Sequence, residues 1–355
     1  LDTTTQIIGF TISGSNNGNG IGISLNGTSP LLNKIQLINH SRGIDALNSN
    51  FVLLNSQISN CMDSGVYISS GAWIHTKIEN TIFTGNTGYR GAGLYSKANF
   101  NAGDNERPSL EIINSKFISN NATHSGGAIH VGYRMYAIMK DILINKNTAV
   151  YEGGGIFFDR SFFEELDGDE NDGTFSNDQI YNLTITNNHA GNWGGGIYFS
   201  TIRSFAFNAG IKKCVIANNS ALGTTVWNDS TMNNGGGIYL TGSYMVIDSS
   251  VVSDNIGGGI FSDWYFQLNL TNSSVVNNTG GGIMITENQA NWPSITTPRI
   301  LKSTITNNSE YGILGNFDYV NGSNIMSNVF GINLNGTTYL PATNNFWGHS
   351  TGPQH

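Results

Sequence analysis

Two acidic residues stand beside large side chains at the ends of apolar strand-like segments, and these are the residues best suited to chemistry. Asp159 is followed by Arg160, and Asp263 is followed by Trp264. A glycoside hydrolase needs two carboxylates about 5–10 Å apart. A polysaccharide lyase needs a base, often Lys or Arg, together with a positive charge. If the chain forms stacked coils, as the repeat described below predicts, Asp159 and Asp263 lie about 15–20 Å apart, which is too far for a catalytic pair. Glu152 or Glu164 is then the candidate partner of Asp159. The four residues are therefore either part of a site that contacts a polysaccharide or surface charge beside a turn.

The segment after Asp159 is the most acidic part of the chain. Asp167, Asp169 and Asn171 stand at alternating positions, and Asp172 follows directly. Oxygen ligands at alternating positions are typical of Ca²⁺ sites. The glycine at the seventh position and the lack of a Glu at the twelfth exclude an EF-hand. These residues predict either a bound Ca²⁺ or a solvated acidic loop.

Histidine and cysteine offer little for a transition metal. The seven histidines include no pair at metal-ligand spacing, so a zinc or copper site is not expected. A copper site would require a cluster of His, Met or Cys, and none is apparent. Cys61 and Cys214 are too far apart along that repeat for a disulfide, and we expect them to be free buried thiols.

These residues are positioned by an internal repeat in which a Gly-Gly-(Gly/Ala)-Ile motif follows an apolar strand and an Asn pair. The motif begins at residues 126, 153, 194, 235, 257 and 280. The shortest gaps between motifs indicate a bare coil of about 22 residues, and longer gaps carry insertions such as 159–180 and 201–210. A short repeat cannot bury its apolar side alone, so the motif predicts a stacked β-solenoid of about 14 coils.

Strand alternation predicts that the motif Ile points inward and the next residue outward. We call the outward neighbours the outward ladder: Tyr95, His130, Phe157, Tyr198, Tyr239, Phe261 and Met284. Stacked coils place these residues in one column, about 4.8 Å apart. Two interpretations remain open. The ladder is either an aromatic platform for a polysaccharide or partner, or a second small core under the inserted loops.

The motifs resemble those of the parallel β-helix repeat proteins, the superfamily that contains pectate lyases and many surface proteins. Phe117-Ile-Ser-Asn120 followed by Gly126-Gly-Ala-Ile129 is similar to the motifs of polymorphic outer membrane proteins, which are adhesive autotransporter passengers. The ending Asn344-Asn-Phe-Trp347-Gly348 resembles the last coil of many β-helix surface proteins. The resemblance implies an all-β, single-stranded right-handed parallel β-helix. It does not extend to the catalytic signatures of pectate lyases or polygalacturonases.

Composition limits the other classes of function. A net charge of -8 and a pI near 5.3 argue against a nucleic-acid partner. No apolar run is long enough for a membrane span. The chain shows no linker, so we expect residues 1–355 to form one β-helix domain. The strand-like start suggests a mature region or fragment of a longer secreted protein.

Two functions fit these observations. The first is an extracellular or cell-surface rod with a structural, adhesive or glycan-binding role, whose partners are glycans or other protein subunits. The second is a polysaccharide lyase or glycoside hydrolase acting in a groove along the β-helix. The candidate ligand-binding residues are Tyr95, His130, Phe157, Asp159, Arg160, Tyr198, Tyr239 and Trp264, with Glu152 or Glu164 as alternative partners of Asp159 and Arg134 as a second lyase arginine. The sequence does not decide between the two.

Overall fold

The structure is a computed structural model, and the part of the chain that it describes consists almost entirely of short strands. It describes residues 5–15, 18–70, 74–98, 108–132, 135–159, 180–200, 208–223, 234–241, 244–263, 267–286, 298–315, 317, 319–333 and 340–348. No helix occurs in these ranges. Asn, Gly, Ser and Thr disfavour helices, and the apolar triplets between them suit strands.

The strands follow one another in chain order around each coil. The first fourteen are β1 (Gln6–Ile8), β2 (Thr11–Ser13), β3 (Ile21–Asn26), β4 (Leu31–Asn33), β5 (Gln36–Ile38), β6 (Arg42–Leu47), β7 (Val52–Leu54), β8 (Gln57–Ser59), β9 (Val66–Ser70), β10 (His75–Glu79), β11 (Ile82–Thr84), β12 (Thr87–Arg90), β13 (Leu94–Ala98) and β14 (Ser109–Ile113). The next fourteen are β15 (Lys116–Ile118), β16 (Asn121–Ser125), β17 (Ile129–Val131), β18 (Tyr136–Lys140), β19 (Leu143–Asn145), β20 (Thr148–Ala149), β21 (Ile156–Phe158), β22 (Ile180–Tyr181), β23 (Thr184–Thr186), β24 (His189–Ala190), β25 (Ile197–Phe199), β26 (Asn208–Lys212), β27 (Val215–Ala217) and β28 (Ser220–Ala221). The last fourteen are β29 (Ile238–Thr241), β30 (Tyr244–Asp248), β31 (Val251–Ser253), β32 (Ile260–Asp263), β33 (Gln267–Thr271), β34 (Ser274–Val276), β35 (Ile283–Ile285), β36 (Arg299–Leu301), β37 (Thr304–Thr306), β38 (Tyr311–Leu314), β39 (Tyr319–Asn321), β40 (Asn324–Met326), β41 (Phe330–Asn333) and β42 (Ala342–Thr343).

Every strand pairs in parallel with the equivalent strand of the neighbouring coil, so the coils stack into long sheets. The first sheet has 13 strands (β1-β4-β7-β10-β14-β18-β22-β26-β30-β33-β36-β39-β42), and the second has 12 (β2-β5-β8-β11-β15-β19-β23-β27-β31-β34-β37-β40). The third also has 12 (β3-β6-β9-β13-β17-β21-β25-β29-β32-β35-β38-β41). In five successive coils an additional strand lies between the second and the third sheet, and these strands form a corner sheet of 5 (β12-β16-β20-β24-β28). The fold is a right-handed parallel β-helix, which confirms the sequence prediction.

From β11 onward, each turn that follows a strand of the second sheet is held by an asparagine, which is buried in every case except Asn328. The side-chain amide nitrogen of each one donates to the Oδ1 atom of the next along the axis, at 2.9–3.1 Å. The same amide also bonds a backbone carbonyl of an earlier second-sheet strand, as Asn147 does with Phe117. The column contains Asn86, Asn120, Asn147, Asn188, Asn219, Asn255, Asn278, Asn308 and Asn328. Buried amides are tolerated here because the stack satisfies them.

The Gly motif makes the corner that leads into the third sheet. Gly126 has a φ of 68°, and a Cβ there would lie 2.5 Å from the Ile129 carbonyl oxygen. Only glycine adopts this conformation without strain at that distance. The motif isoleucines that follow are fully buried, at 0% exposure for Ile129, Ile156 and Ile197. The motif therefore fixes which residue of each third-sheet strand points outward.

Candidate functional site

The outward ladder forms as a continuous column on the third sheet. The register pairs Tyr95 with His130, His130 with Phe157, and Phe157 with Tyr198. The column continues through Tyr239, Phe261 and Met284, and it is extended before Tyr95 by Tyr67. Ring centroids of successive residues from Tyr67 to Phe261 lie 4.7–5.4 Å apart. The rung spacing of the sheet therefore sets the ring spacing.

The residues of the outward ladder differ in their exposure to solvent. His130 is fully buried, and Phe157, Tyr239 and Phe261 retain only 7%, 6% and 5% of their surface. Tyr95, Tyr198 and Met284 are partly exposed. Because stacking hides the ring faces and most edges are also covered, the middle of the ladder offers little surface to a ligand.

A second aromatic column lies on the corner sheet, with two exposed tyrosines and a half-buried histidine between them. We call Tyr89, His124 and Tyr151 the corner strip. The rings of Tyr89 and His124 are 5.0 Å apart, and those of His124 and Tyr151 are 5.1 Å apart. Tyr89 is 57% exposed and Tyr151 is 39% exposed. Three consecutive coils thus present aromatic surface to solvent.

A row of polar residues lies between the corner strip and the outward ladder. Bridges pair Arg90 with Ser125, Ser125 with Glu152, and Glu152 with Trp193. The row contacts the ladder twice: Ser125 Oγ lies 3.0 Å from His130 Nδ1, and the Trp193 ring lies 5.7 Å from the Tyr239 ring. The two aromatic columns therefore flank one polar seam at the corner of the coil.

Burial shifts the titration of the seam and of the adjoining ladder. Desolvation raises the pKa of Glu152, which Asp159 raises further and Arg90 opposes. Desolvation lowers the pKa of His130 well below its ordinary value and also lowers that of His124, and Arg90 adds to both effects. At neutral pH both histidines are therefore uncharged, and Arg90 is the cation of the seam.

The carboxylates near the seam also raise the pKa values of two tyrosines in the outward ladder. Burial raises the pKa of Tyr198, with further contributions from the charges of Glu152, Asp263 and Asp159. Burial also raises the pKa of Tyr239, whose hydroxyl donates to Asp263 Oδ2 at 3.5 Å. Both phenols therefore stay protonated at neutral pH.

Asp159 and Asp263 are not close enough to act as a carboxylate pair. Asp159 directly follows β21, and Asp263 ends β32, three rungs further along the third sheet. At about 4.8 Å per rung their separation is about 14 Å, beyond the range of either glycosidase geometry. Asp263 instead accepts a 2.6 Å hydrogen bond from Thr286 Oγ1. The charge of Asp159 contributes instead to the raised pKa of Glu152.

Several residues singled out from the sequence lie outside the described residues. They are Arg134, Arg160, Glu164 and Trp264, and the four candidate calcium ligands Asp167, Asp169, Asn171 and Asp172. The calcium site therefore remains a prediction. Within the described ranges, the candidates that come together are Tyr95, His130, Phe157, Tyr198 and Tyr239, with Asp159 beside Glu152.

Sequence reasoning missed the corner strip and Arg90, although a signal was present. The two residues before the first motif glycine are Tyr89-Arg90, His124-Ser125 and Tyr151-Glu152 in three successive coils. Counting backward from that glycine aligns the aromatic residues and the seam. A bulge between Gly88 and Arg90 shifts the register by one residue and obscures this alignment in the raw sequence.

Metal ligands are scattered over the part of the chain that the structure describes. It contains no group of three or more His, Cys, Asp or Glu side chains able to hold a metal ion. The Nδ1 atoms of His75 and His189 are hydrogen-bonded to the hydroxyls of Ser109 and Ser220. Burial raises the pKa of the free Cys61 and Cys214 thiols to about 11, which disfavours the thiolate that binds metals.

A solved structure shares the fold. The crystal structure of a double mutant of the periplasmic alginate epimerase AlgG matches with a TM-score of 0.52 and 13% identity, covering 92% of this chain and 78% of that chain. The structure of AlgG without those mutations matches with a TM-score of 0.49 and 12% identity, over the same 92% and 78%. At this identity the likeness concerns architecture.

Among the described residues, no helix is long and apolar enough to cross a membrane.

Sequence comparison gives the family. No curated protein sequence matches the chain significantly. The family model described as "Periplasmic copper-binding protein (NosD)" matches residues 167–354, more than half of the chain. The match covers the C-terminal coils, where the Gly-Gly-Gly-Ile motif recurs most regularly. The chain therefore belongs to the NosD family of parallel β-helix proteins.

Proposed function

We propose that this protein is an extracytoplasmic β-helix that binds a glycan at the corner strip and the adjoining seam. The observation that carries the proposal is the stack of three solvent-accessible aromatic side chains, Tyr89, His124 and Tyr151, on consecutive coils. The family description places NosD proteins in the periplasm, which agrees with the secreted location expected from the sequence.

The strip suits sugars for physical reasons. The apolar faces of pyranose rings pack against aromatic rings, and adjacent accessible rings form a patch, unlike a single exposed aromatic residue. The ring spacing of about 5 Å along the axis is close to the length of one sugar unit. The seam adds hydrogen-bonding groups at the side of the strip, because Arg90 donates and Glu152 accepts from hydroxyls. Tyr95 and Tyr198, the partly exposed members of the ladder, extend this surface onto the third sheet.

The test is affinity electrophoresis of the full chain through gels that contain soluble neutral or acidic polysaccharides. We expect at least one polysaccharide to retard the native protein. The double substitution Tyr89→Ala and Tyr151→Ala should abolish that retardation, because it removes the two most exposed rings of the strip.

Phe330→Ala is the matched control. Phe330 lies in β41 on the last rung of the third sheet and is 60% exposed, comparable to Tyr89. Its removal should leave retardation unchanged. If no polysaccharide retards the native protein, the glycan-binding proposal fails and a structural or adhesive rod becomes the better account. If the double variant is retarded like the native protein, the site lies elsewhere.

A polysaccharide lyase or glycoside hydrolase is the second candidate. The observation that favours it is Glu152, a largely buried carboxyl whose pKa is raised beside Asp159 and Arg90. A raised pKa brings a carboxyl closer to the working range of a general acid. Incubation with polyuronates and neutral glycans, scoring new reducing ends and unsaturated products, tests it. Activity that is lost in Glu152→Gln would establish the enzyme, and inactivity on all glycans would reject it.

Copper does not enter the proposal. The family description names copper, but the described residues contain no cluster of His, Cys, Asp or Glu that fits a metal ion. Ring nitrogens of His40, His75 and His189 are engaged in hydrogen bonds. His124 and His130 each have an unpartnered ring nitrogen, but no group of three ligands forms around them in the described part of the chain. No step of the proposed function therefore involves copper.

A further inference from the structure

The two arginines near the outward faces of the corner and third sheets have opposite surroundings. Arg42 is paired: its Nε donates to Asp63 Oδ2 at 2.9 Å, and its Nη1 lies 3.1 Å from Asp45 Oδ2. Its guanidinium also lies 4.0 Å from the centre of the Tyr67 ring. The charge of Arg42 is therefore neutralised within the protein.

Arg90 lacks this neutralisation. Its Nε atom is buried and has no hydrogen-bond partner, and no described carboxylate lies within ion-pair distance of its guanidinium. The guanidinium carbon lies 5.6 Å from the ring centre of Tyr89, the most exposed ring of the corner strip. A half-buried arginine without a carboxylate is unusual, because guanidinium groups are normally paired when they leave water.

The neighbours of Arg90 leave further hydrogen-bonding capacity open. His124 Nδ1 and His130 Nε2 are also buried without a hydrogen-bond partner. Both histidines interact electrostatically with Arg90, so the three orphaned nitrogens belong to one region of the seam. Buried polar atoms without partners indicate a missing ligand, water or ion.

The charge of the seam changes sign along the axis. Arg90 lies on the coil of β12, and Glu152 lies two rungs further on, about 10 Å away along the axis. Asp159 and Asp263 follow on the third sheet in the same direction. An anion is therefore favoured beside Tyr89 and disfavoured beside Tyr151, where hydroxyl groups are the suitable partners of Glu152.

We infer that the glycan bound at the corner strip carries a carboxylate on the sugar that packs against Tyr89, held by Arg90, and neutral sugars toward Tyr151. This inference rests on the proposed function and adds the substrate class: a mixed acidic and neutral oligosaccharide bound in one direction. The planar guanidinium matches a carboxylate with two parallel hydrogen bonds. A polymer charged on every sugar places a carboxylate against Glu152 and binds less well.

The test compares two xylo-oligosaccharides that differ by a single glucuronic acid substituent, using isothermal titration calorimetry with the full chain. We expect the acidic oligosaccharide to bind about tenfold more tightly than the neutral one, since a charge-assisted hydrogen bond contributes that much. The ratio should fall toward one in Arg90→Gln. It should persist in the matched control Arg299→Gln, since Arg299 is exposed on the first sheet.

The outcomes separate the two proposals. If both oligosaccharides bind equally to the native protein, or if the preference survives in Arg90→Gln, the carboxylate inference is wrong and glycan binding stands. If neither binds and no other glycan does, the proposed function itself fails. Arg90→Lys keeps the positive charge but lacks the planar guanidinium. It serves as the second variant if Arg90→Gln does not fold. It should retain part of the preference, and a preference equal to that of Arg90→Gln would contradict a charge-based site.

Discussion

The outward ladder and the corner strip are built by the same mechanism and differ in what surrounds them. In both, the rung spacing of a parallel sheet stacks aromatic rings about 5 Å apart. In the ladder, Phe157 and Tyr239 keep 7% and 6% of their surface, whereas Tyr89 and Tyr151 in the strip keep 57% and 39%. Stacking therefore follows from the repeat, but availability to a ligand depends on burial. A ladder of aromatic residues is not by itself a binding platform.

The largest difference between the two columns should be in stability. Phe157→Ala removes a buried ring stacked between His130 and Tyr198, so we expect a loss of about 3–5 kcal/mol in the free energy of unfolding. Tyr151→Ala removes an exposed ring and should cost less than about 1 kcal/mol. Urea denaturation of both variants measures the difference. Equal losses would mean that the strip is also a core.

Acid should destabilise the ladder through His130. The folded protein holds His130 neutral with a pKa well below the ordinary value of 6.5, while the unfolded chain takes up the proton. The free energy of unfolding is thus highest above pH 6.5 and falls as the pH drops from there toward the folded pKa. One such group contributes at most about 1.4 kcal/mol per pH unit. His130→Phe should flatten the curve between pH 7 and pH 5, and an unchanged slope would exclude His130 as its source.

Glycan affinity should depend on the corner strip and not on the outward ladder. Tyr151→Ala should weaken the affinity for a retained glycan about tenfold, the effect of losing one stacking partner worth roughly 1–1.5 kcal/mol. Tyr239→Phe removes only a buried hydroxyl of the ladder and should leave the affinity unchanged. Calorimetry with the same glycan compares them. A stronger effect at Tyr239 would reassign the site to the ladder.

The smallest expected effect concerns Glu152. Burial raises its pKa, so its contribution to stability is complete below the ordinary pKa of 4.5 and is lost as the pH rises through the folded value. Glu152→Gln stays neutral throughout. The variant should melt at the native temperature at pH 4 and slightly above it at pH 7. A lower melting temperature at pH 7 would reveal a charge partner that stabilises the ionised carboxylate.

Much of the fold was predictable because it depends on local rules. The repeated Gly-Gly-Gly-Ile motif fixed the corner, the inward Ile and the column of Tyr95, His130 and Phe157. The stacked Asn pairs became the buried amide column. About 14 coils were expected from the repeat length, and the longest sheet has 13 strands in the described residues.

The candidate site was harder to predict. Exposure depends on tertiary packing, which the alternation of a strand does not reveal, so the ladder and the strip could not be ranked from sequence. Arg90 was missed because its importance lies in the absence of a partner, which only geometry shows. The bulge before Arg90 further hid its alignment with Ser125 and Glu152.

Hydroxyl-radical footprinting, with and without a retained glycan, tests the central claim most directly. It reads the solvent accessibility of individual aromatic side chains by mass spectrometry. We expect Tyr89 and Tyr151 to be oxidised readily in the free protein and protected by the glycan, while Phe157 and Tyr239 react slowly in both states. Glycan protection of Phe157 and Tyr239, with no change at Tyr89 and Tyr151, would contradict the account and place the ligand on the outward ladder.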